Sequence, residues 1–172
     1  EGIQKKTQQM ELLVTDLLTA ALDDLGEMTV NCTDENAAVL YDIIRAADTR
    51  SLVRRSTIPE CMIHIDIKRM EQIIGNIIGN SYKYADTKIN VSVSAEDCFL
   101  VVSIEDCGGG VEESELPLLK EKFKRGSNTK KIEGAGLGLY ISDYCMKKMN
   151  GRLVIENGTS GLRVIVWIPM KV

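Results

Sequence analysis

The chain has 172 residues, a length typical of one domain with at most a short appended element. Apolar residues make up 44% of the chain and charged residues 27%, values that exclude wholesale disorder. The net charge of -4 argues against a protein that coats nucleic acid, and no apolar run approaches the roughly 18 residues of a membrane helix, so we expect neither a nucleic-acid partner nor membrane contact.

Residues 1–26 are predicted to form a helix that precedes the main domain. Its apolar residues recur at steps of three and four, and Gly26 can end it. So long a stripe needs a partner, which is either the domain itself or a second copy of the chain. The apolar positions are Met10, Leu13, Val14, Leu17, Leu18, Ala21 and Leu25.

Residues 27–172 are predicted to form one domain that mixes helices and strands. A strand is expected at Met28–Cys32, and Thr33 is expected to cap a helix that runs to Ala47. Arg50–Pro59 is polar and is expected to be a loop. Because helices and strands do not alternate strictly, the fold class is α/β (α+β), with one antiparallel-leaning sheet and helices on one face. The other expected elements are strands at Cys61–Asp66, Lys88–Ala95, Phe99–Glu105, Arg152–Glu156 and Leu162–Ile168, and helices at Lys68–Tyr84 and from about Gly136 to Met149.

The helix Lys68–Tyr84 carries the first unusual pattern. Asn76 and Asn80 lie four residues apart in its interior, where asparagine is unfavourable, and Lys83 continues the same side. An amide oxygen suits Mg²⁺, and a lysine one turn later can meet phosphate. The alternative is a solvated polar face with two chance asparagines.

A second pattern follows the strand Phe99–Glu105. Asp106 and Cys107 precede three glycines, Gly108–Gly110, which let a backbone approach a flat ligand closely. An ionised carboxylate only accepts hydrogen bonds, which suits the exocyclic amine of adenine. The alternative is an ordinary glycine-rich turn with a capping aspartate.

Two more patterns follow along the chain. The segment GAGLGL at 134–139 opens a helix, where backbone N–H groups attract anions, but its spacing matches neither a dinucleotide fingerprint nor a Walker motif. Before it, Lys120–Lys131 carries six basic residues against one acid and includes Phe123 and Arg125. This stretch is either a solvated charged loop or a lid that closes on polyphosphate.

In their order and spacing, the four patterns resemble the nucleotide-binding boxes of sensor histidine kinases. NIIGNSYKY at 76–84 looks like the N box, DCGGG at 106–110 like the G1 box, EKFKRG at 121–126 like the F box, and GAGLGL at 134–139 like the G2 box. The match covers about residues 65–169 and is specific to the catalytic ATP-binding domain of the GHKL superfamily, the Bergerat fold. The resemblance implies a two-layer α/β sandwich, a mixed sheet covered by helices, that binds Mg²⁺-ATP and passes the γ-phosphoryl group to a histidine.

The resemblance also implies a role for each residue of the boxes. Asn80 would hold Mg²⁺ with Asn76 beside it, and Arg125 would approach the γ-phosphate. Asp106 would accept from the adenine amine, and the glycines at 134–138 would wrap the phosphates. The implied ATP-binding residues are Asn76, Asn80, Lys83, Tyr84, Asp106, Gly108, Gly110, Phe123, Arg125, Gly134, Gly136, Leu137 and Gly138, and those implied to be catalytic are Asn80, Lys83 and Arg125.

One departure from the family concerns the phosphoacceptor. The family's acceptor begins a His-Glu or His-Asp motif on the first helix of a dimerisation hairpin, and no such motif occurs here. The sole histidine, His64, is expected to be structural and to lie in a strand beneath the sheet. We expect residues 1–26 to correspond to the second hairpin helix, and the acceptor to come from another part of the parent kinase, in cis or across a dimer. A response regulator is the further expected partner, and the expected location is the cytoplasmic end of a membrane-bound sensor.

Two other functions remain open at this point. The ATP-hydrolysing and serine-directed members of the superfamily typically carry a glutamate one turn before the Mg²⁺ asparagine, where this chain has Asn76, an amide that cannot act as a base. Glu71 lies too far from Asn80 along the helix to substitute. The other alternative is a non-catalytic module that senses nucleotide or dimerises, which the intact set of motifs disfavours.

Overall fold

The computed structural model describes residues 29–123 and 136–171, together with four positions nearer the N-terminus. Residues 29–123 and 136–171 form seven strands, three α-helices and one 3-10 helix. The strands are β1 (Thr33–Asn36), β2 (Val53–Arg55), β3 (Met62–Ile65), β4 (Ile89–Glu96), β5 (Phe99–Asp106), β6 (Arg152–Asn157) and β7 (Leu162–Pro169), and the helices are α1 (Val39–Ala47), α2 (Ile67–Tyr84), α3 (Gly138–Lys148) and the 3-10 helix Leu116–Lys120.

Five of the strands form a mixed sheet in the order β2–β4–β5–β7–β6. Strand β2 runs parallel to β4, and all the other neighbours are antiparallel. Strands β1 and β3 form a separate antiparallel pair, which an isolated bridge between Ile63 and Met170 joins to the chain just after β7. The expected mixed sheet covered by helices is confirmed, but the two-stranded pair replaces the expectation of a single sheet.

Strand β5 shows why the sheet presents a carboxylate at its end. Successive side chains of a strand point to opposite faces, and Leu100, Val102 and Ile104 are fully buried on the face that carries the helices. Asp106 continues this alternation and is only 6% exposed. The last residue of β5 therefore places a charged group at the border of the apolar core.

Helix α2 covers the centre of the sheet with an isoleucine-rich face. It begins after Asp66, whose side chain accepts a hydrogen bond from the backbone N–H of Arg69 (3.2 Å) and so caps the helix. Asn76 and Asn80 lie beside the buried face and are both half-buried. The fully buried apolar side chains of the helix are Met70, Ile73, Ile74, Ile77 and Ile78.

The segment before α1 differs from its sequence prediction. Residues 29–32 of the predicted strand Met28–Cys32 are not in a strand, and Thr33–Asn36 form β1 where the sequence predicts the start of a helix. Pairing with β3 outweighs the local preference for a cap, because all four residues find a partner there. Helix α1 starts later, and the Asn36 side chain accepts from the Ala38 N–H (2.9 Å). The predicted loop Arg50–Pro59 contains the short edge strand β2.

His64 lies in a strand as predicted, but not beneath the main sheet. It belongs to the β1–β3 pair, its side chain is half-exposed, and its Nδ1 is 2.8 Å from Asp34 Oδ1. Lys171 also bonds the Asp34 carboxylate. The hydrogen bond from Lys171, and after it that from His64, hold the pKa of Asp34 below its usual range. A carboxylate therefore flanks the histidine, which its sequence neighbours do not reveal.

Four positions of the N-terminal apolar stripe are helical, and the rest of the predicted helix 1–26 lies outside the described residues. Met10, Val14 and Leu17 are at least half exposed, and Ala21 is exposed as well. The rest of the described chain therefore does not cover these positions. Within that described part, no helix is long and apolar enough to cross a bilayer.

Candidate functional site

The two asparagines of α2 have different surroundings. The Asn76 side-chain amide donates a hydrogen bond to the Gly138 carbonyl oxygen (3.1 Å). The Asn80 side chain makes no hydrogen bond to any residue in the described ranges, so its amide oxygen remains available to a ligand. The two asparagines therefore differ in role. Asn76 links α2 to the first residue of α3, whereas Asn80 makes no such link within the described residues.

Backbone contacts bring the segment before α3 against two other boxes. A Cβ on Gly138 would lie 3.3 Å from Cγ of Asn76, so the two helices meet closely here. The Phe123 N–H donates to the Gly136 carbonyl (3.1 Å), and both residues have positive φ angles, 61° and 69°. The Leu137 side chain is buried in the core, so only its backbone is left to face a nucleotide.

The Asp106 carboxylate is held by one oxygen only. Its Oδ1 accepts hydrogen bonds from the backbone N–H groups of Gly108 (2.9 Å) and Leu162 (3.1 Å). No described residue donates a hydrogen bond to Oδ2. An ionised carboxylate oxygen only accepts hydrogen bonds, so Oδ2 can take a donor brought by a ligand.

The glycine loop lies against the C-terminal end of α2. A Cβ on Gly108 would come within 2.5 Å of the Ala85 Cβ, a separation that real atoms do not reach. The Cys107 N–H also donates to the Thr87 hydroxyl (2.9 Å). Glycine at 108 therefore permits the close approach by which the predicted N and G1 boxes meet.

The last turn of α2 carries the other two residues of the N box. Lys83 is half-buried, and its Nζ lies 5.2 Å from the ring centroid of Tyr84, within range of a cation–π contact. The Tyr84 side chain is 41% exposed. A large aromatic ring with this exposure offers a flat surface beside the Gly108 loop.

The basic segment is anchored where it begins. Lys120 Nζ donates to Asp143 Oδ1 (2.9 Å) and bonds the Leu153 carbonyl. Asp143 is only 7% exposed, and its Oδ2 pairs with Lys147 Nζ at 2.6 Å. The 3-10 helix before the segment is thereby tied to α3 and β6. The predicted site residues Arg125 and Gly134 lie outside the described residues.

Sequence reasoning missed one side chain that contacts the loop. Asn157, the last residue of β6, accepts from the Val111 N–H (3.0 Å) and donates to the Val111 carbonyl (2.8 Å). The sequence predicts only a turn at 157–161, since an asparagine before a glycine is ordinary there. Nothing in the local pattern indicates that the turn meets a loop distant in sequence.

The available groups fit a magnesium nucleotide. The Asn80 amide oxygen is a neutral oxygen ligand of the kind Mg²⁺ accepts, and Mg²⁺ characteristically fills its other positions with phosphate oxygens and water. No group of three His, Cys, Asp or Glu residues in the described ranges could hold a metal by itself. An ion at Asn80 would therefore depend on the phosphates of a bound nucleotide. The open Oδ2 of Asp106 fits an exocyclic amine.

Comparison with known families matches the same part of the chain. Residues 65–172 match the family described as histidine kinase-, DNA gyrase B-, and HSP90-like ATPase. The signal transduction histidine-protein kinase AfsQ2 of Streptomyces coelicolor is 28% identical over 163 residues, which cover 92% of this chain and 30% of AfsQ2. The chain thus spans less than a third of that relative.

Solved structures share the fold at low sequence identity. The histidine kinase AdeS of Acinetobacter baumannii superposes with a TM-score of 0.76 at 20% identity, over 99% of this chain and 83% of that one. Full-length ShkA, solved in complex with AMPPNP, gives a TM-score of 0.74 at 22% identity, over 99% of this chain and 38% of that one. These similarities show that the sheet and its covering helices have the same fold as the matching parts of these structures.

Proposed function

This chain belongs to the histidine kinase-, DNA gyrase B-, and HSP90-like ATPase family, and from that membership we propose that it is the catalytic domain of a sensor histidine kinase. It binds Mg²⁺-ATP and transfers the γ-phosphoryl group to a histidine on a separate hairpin of the parent kinase. A response regulator is the later partner. We place the domain in the cytoplasm, where ATP is available.

The observation that carries the proposal is the half-satisfied carboxylate of Asp106. Two backbone N–H groups fix its Oδ1, so the carboxylate has a set orientation, and Oδ2 stays open within the described part of the chain. Adenine presents an amine to such an acceptor, whereas guanine presents a carbonyl at the corresponding position. The site therefore selects an adenine nucleotide, with the exposed ring of Tyr84 beside the base.

The phosphate end of the site is built from α2 and the residues that precede α3. Asn80 holds Mg²⁺, which neutralises the charge of the phosphates when bound. Lys83 supplies a positive charge one turn along the helix, and Gly136 and Gly138 direct backbone N–H groups toward an anion. From the family resemblance we also propose that Arg125 and Gly134, which lie outside the described residues, bind phosphate.

The position of Asn76 favours phosphotransfer over ATP hydrolysis. Its amide has no basic group, and the donor nitrogen is already engaged by the Gly138 carbonyl. Water therefore lacks an activating residue at this position. In the proposed reaction an imidazole nitrogen of the acceptor attacks the γ-phosphorus, the bond from that phosphorus to the bridging oxygen breaks, and ADP leaves with the electron pair.

Nucleotide titration tests the adenine assignment. We expect ATP to bind the wild-type chain more tightly than GTP, and Asp106→Asn to cost roughly 1–3 kcal/mol of ATP binding, the scale of a hydrogen bond to a charged group. Calorimetry with and without Mg²⁺ measures both. Asp97→Asn, which removes a carboxylate from the turn between β4 and β5, is the matched control and should bind as wild type. Equal affinity for ATP and GTP would contradict the assignment.

Transfer to a supplied acceptor tests the reaction. The chain is mixed with γ-labelled ATP, Mg²⁺ and a hairpin that carries the acceptor histidine. We expect acid-labile label on the hairpin. Label that appears only as inorganic phosphate would indicate an ATP-hydrolysing member of the family, and nucleotide binding without either product would indicate a non-catalytic module.

A further inference from the structure

The pairing between β5 and β7 does not stop where the strands end. The last regular pair is Glu105 with Arg163. Beyond it, the Leu162 N–H reaches Asp106 Oδ1 (3.1 Å), and the Gly109 N–H reaches the Ser160 carbonyl (3.1 Å). The residues that follow Glu105 therefore continue to contact the β6–β7 turn and the start of β7 beyond the regular pairing.

Asn157 completes this line of contacts at its far end. In an antiparallel sheet, two opposed residues can exchange an N–H and a carbonyl in both directions. The Asn157 amide makes the same exchange with Val111, since its oxygen accepts from the N–H and its nitrogen donates to the carbonyl. The same nitrogen also donates to Glu113 Oε1 (3.0 Å). One side chain thus holds the loop as a paired strand would.

Two glycines are required by these contacts. Gly110 has a φ of 75°, and a Cβ there would lie 2.4 Å from Asn157 Oδ1. A Cβ on Gly161 would lie 2.2 Å from Asp106 Oδ1. The absence of side chains at 110 and 161 lets the turn reach the loop, which gives Gly110 a role independent of any ligand.

An ion pair joins the two strands at their last regular pair, next to these contacts. Arg163 donates through Nε (2.9 Å) and Nη2 (2.7 Å) to Glu105 Oε2, while Glu105 Oε1 accepts from the Ser160 N–H (2.7 Å). Burial of Glu105 raises its pKa, but the Ser160 N–H and the Arg163 guanidinium outweigh burial and leave that pKa below its usual range. These contacts fix the β6–β7 turn, and with it the adjoining Asn157, against the end of β5.

We propose that Asn157 is a positioning residue for nucleotide recognition: by fixing Val111 against the turn, it keeps the glycine loop and Asp106 in the arrangement that leaves Oδ2 open to the adenine amine. The inference rests on the proposed function, because it assigns this loop to the base. Asn157 itself does not touch the nucleotide. Its loss therefore impairs selection of the base more than binding of the phosphates.

The test compares ATP, GTP and inorganic triphosphate on the whole chain. Asn157→Ala should weaken ATP binding about fivefold to tenfold, the equivalent of one hydrogen bond, and lower the ratio of ATP to GTP affinity, while triphosphate affinity stays at the wild-type value. Asn150→Ala is the matched control. Asn150 has a φ of 58°, so this change strains the end of α3 without touching the loop.

A second pair of variants separates positioning from loss of fold. Asn157→Asp keeps the acceptor for the Val111 N–H but sets a negative charge against Glu113, so ATP affinity should fall. Adding Glu113→Gln removes this repulsion but leaves the Val111 carbonyl without its donor, so it should recover only part of the affinity and of the ATP-to-GTP ratio.

Each outcome bears on one proposal. If wild type fails to bind ATP, the proposed function fails. If wild type selects ATP and Asn157→Ala keeps the same ratio of ATP to GTP affinity, or if Asn150→Ala lowers that ratio equally, the positioning role is overturned. Full recovery of the ATP-to-GTP ratio on adding Glu113→Gln to Asn157→Asp would also overturn it, because the Val111 carbonyl would still lack its donor.

Discussion

At the scale of single residues, the two amides of α2 show how similar side chains take different tasks. Asn76 has its nitrogen committed to the Gly138 carbonyl, whereas the Asn80 side chain has no partner among the described residues. Hydrogen bonding within the fold makes Asn76 part of the framework. The Asn80 amide lies beside the core but makes no hydrogen bond that stabilises the described part of the fold. We therefore propose Asn80, and not Asn76, as the metal ligand.

Substitution by alanine separates these tasks. Asn80→Ala should abolish Mg²⁺-dependent phosphotransfer to a supplied hairpin and leave the free energy of unfolding unchanged or slightly higher, because alanine is the better helix former. Asn76→Ala should instead lower the free energy of unfolding by up to about 1 kcal/mol, since the lost hydrogen bond outweighs the gain in propensity. Urea unfolding and transfer of γ-label measure the two properties. Wild-type transfer by Asn80→Ala would refute its role.

The sequence could supply the residue types of the site but not their contacts. Asp106, Gly108 and the asparagines stand out because their types are unusual in their local elements. The engagement of Asn76 with Gly138 depends on how two helices pack, and no local pattern encodes it. The role of Asn157 could not be predicted for the same reason, because its partner Val111 lies in a loop distant along the chain.

At the scale of elements, two glycines in α2 allow a matched comparison. Gly75 and Gly79 lie one turn apart in the helix, and a Cβ at either position would meet no other atom within 4 Å. Each Gly→Ala change should therefore raise the free energy of unfolding by about 0.5–1 kcal/mol. Thermal unfolding of the two variants measures the gain.

The ATP affinities of the same two variants test which part of α2 lies near the bound nucleotide. Gly79 adjoins Asn80, whereas Gly75 lies a turn further from it, so Gly79→Ala should weaken ATP binding more than Gly75→Ala. A destabilised variant would show that a neighbour already fills the space. If Gly75→Ala and Gly79→Ala bind ATP with the same affinity as each other, the nucleotide does not lie closer to Gly79 than to Gly75 on α2.

Prediction from sequence succeeded for elements with strong periodicity and failed where pairing decides. Helix α2 and the strands β4, β5 and β7 lie within a residue of their predicted bounds. The prediction that a helix starts at Thr33 was wrong. Thr33 and its acidic neighbours are typical of a helix start, but in the structure they pair with β3 as strand β1. Strand β2 has only three residues, too few for alternation to show.

At the scale of the whole molecule, the position of His64 decides whether the chain can label itself. Strand β3 is paired with β1 on one side and bridged to Met170 on the other, and His64 Nδ1 is hydrogen-bonded to Asp34. Phosphoryl transfer needs the acceptor about 3–3.5 Å from the phosphorus, and we expect these contacts to hold His64 in its strand. The chain alone should therefore gain no acid-labile phosphate from Mg²⁺-ATP.

The corresponding experiment uses γ-labelled ATP and a quench that preserves phosphohistidine. His64→Ala should bind ATP as wild type does. Stoichiometric acid-labile label that disappears in His64→Ala would show that this histidine is an acceptor after all.

The contact between the glycine loop and the β6–β7 turn also has a kinetic consequence. Asp106 and Leu162 are 56 residues apart, whereas β4 and β5 form a local hairpin. Contacts between distant segments carry a large loop-closure entropy, so the hairpin can form well before the turn docks. The capacity to bind ATP should therefore appear only in the final stage of refolding, and ATP should slow unfolding while leaving the rate of folding almost unchanged.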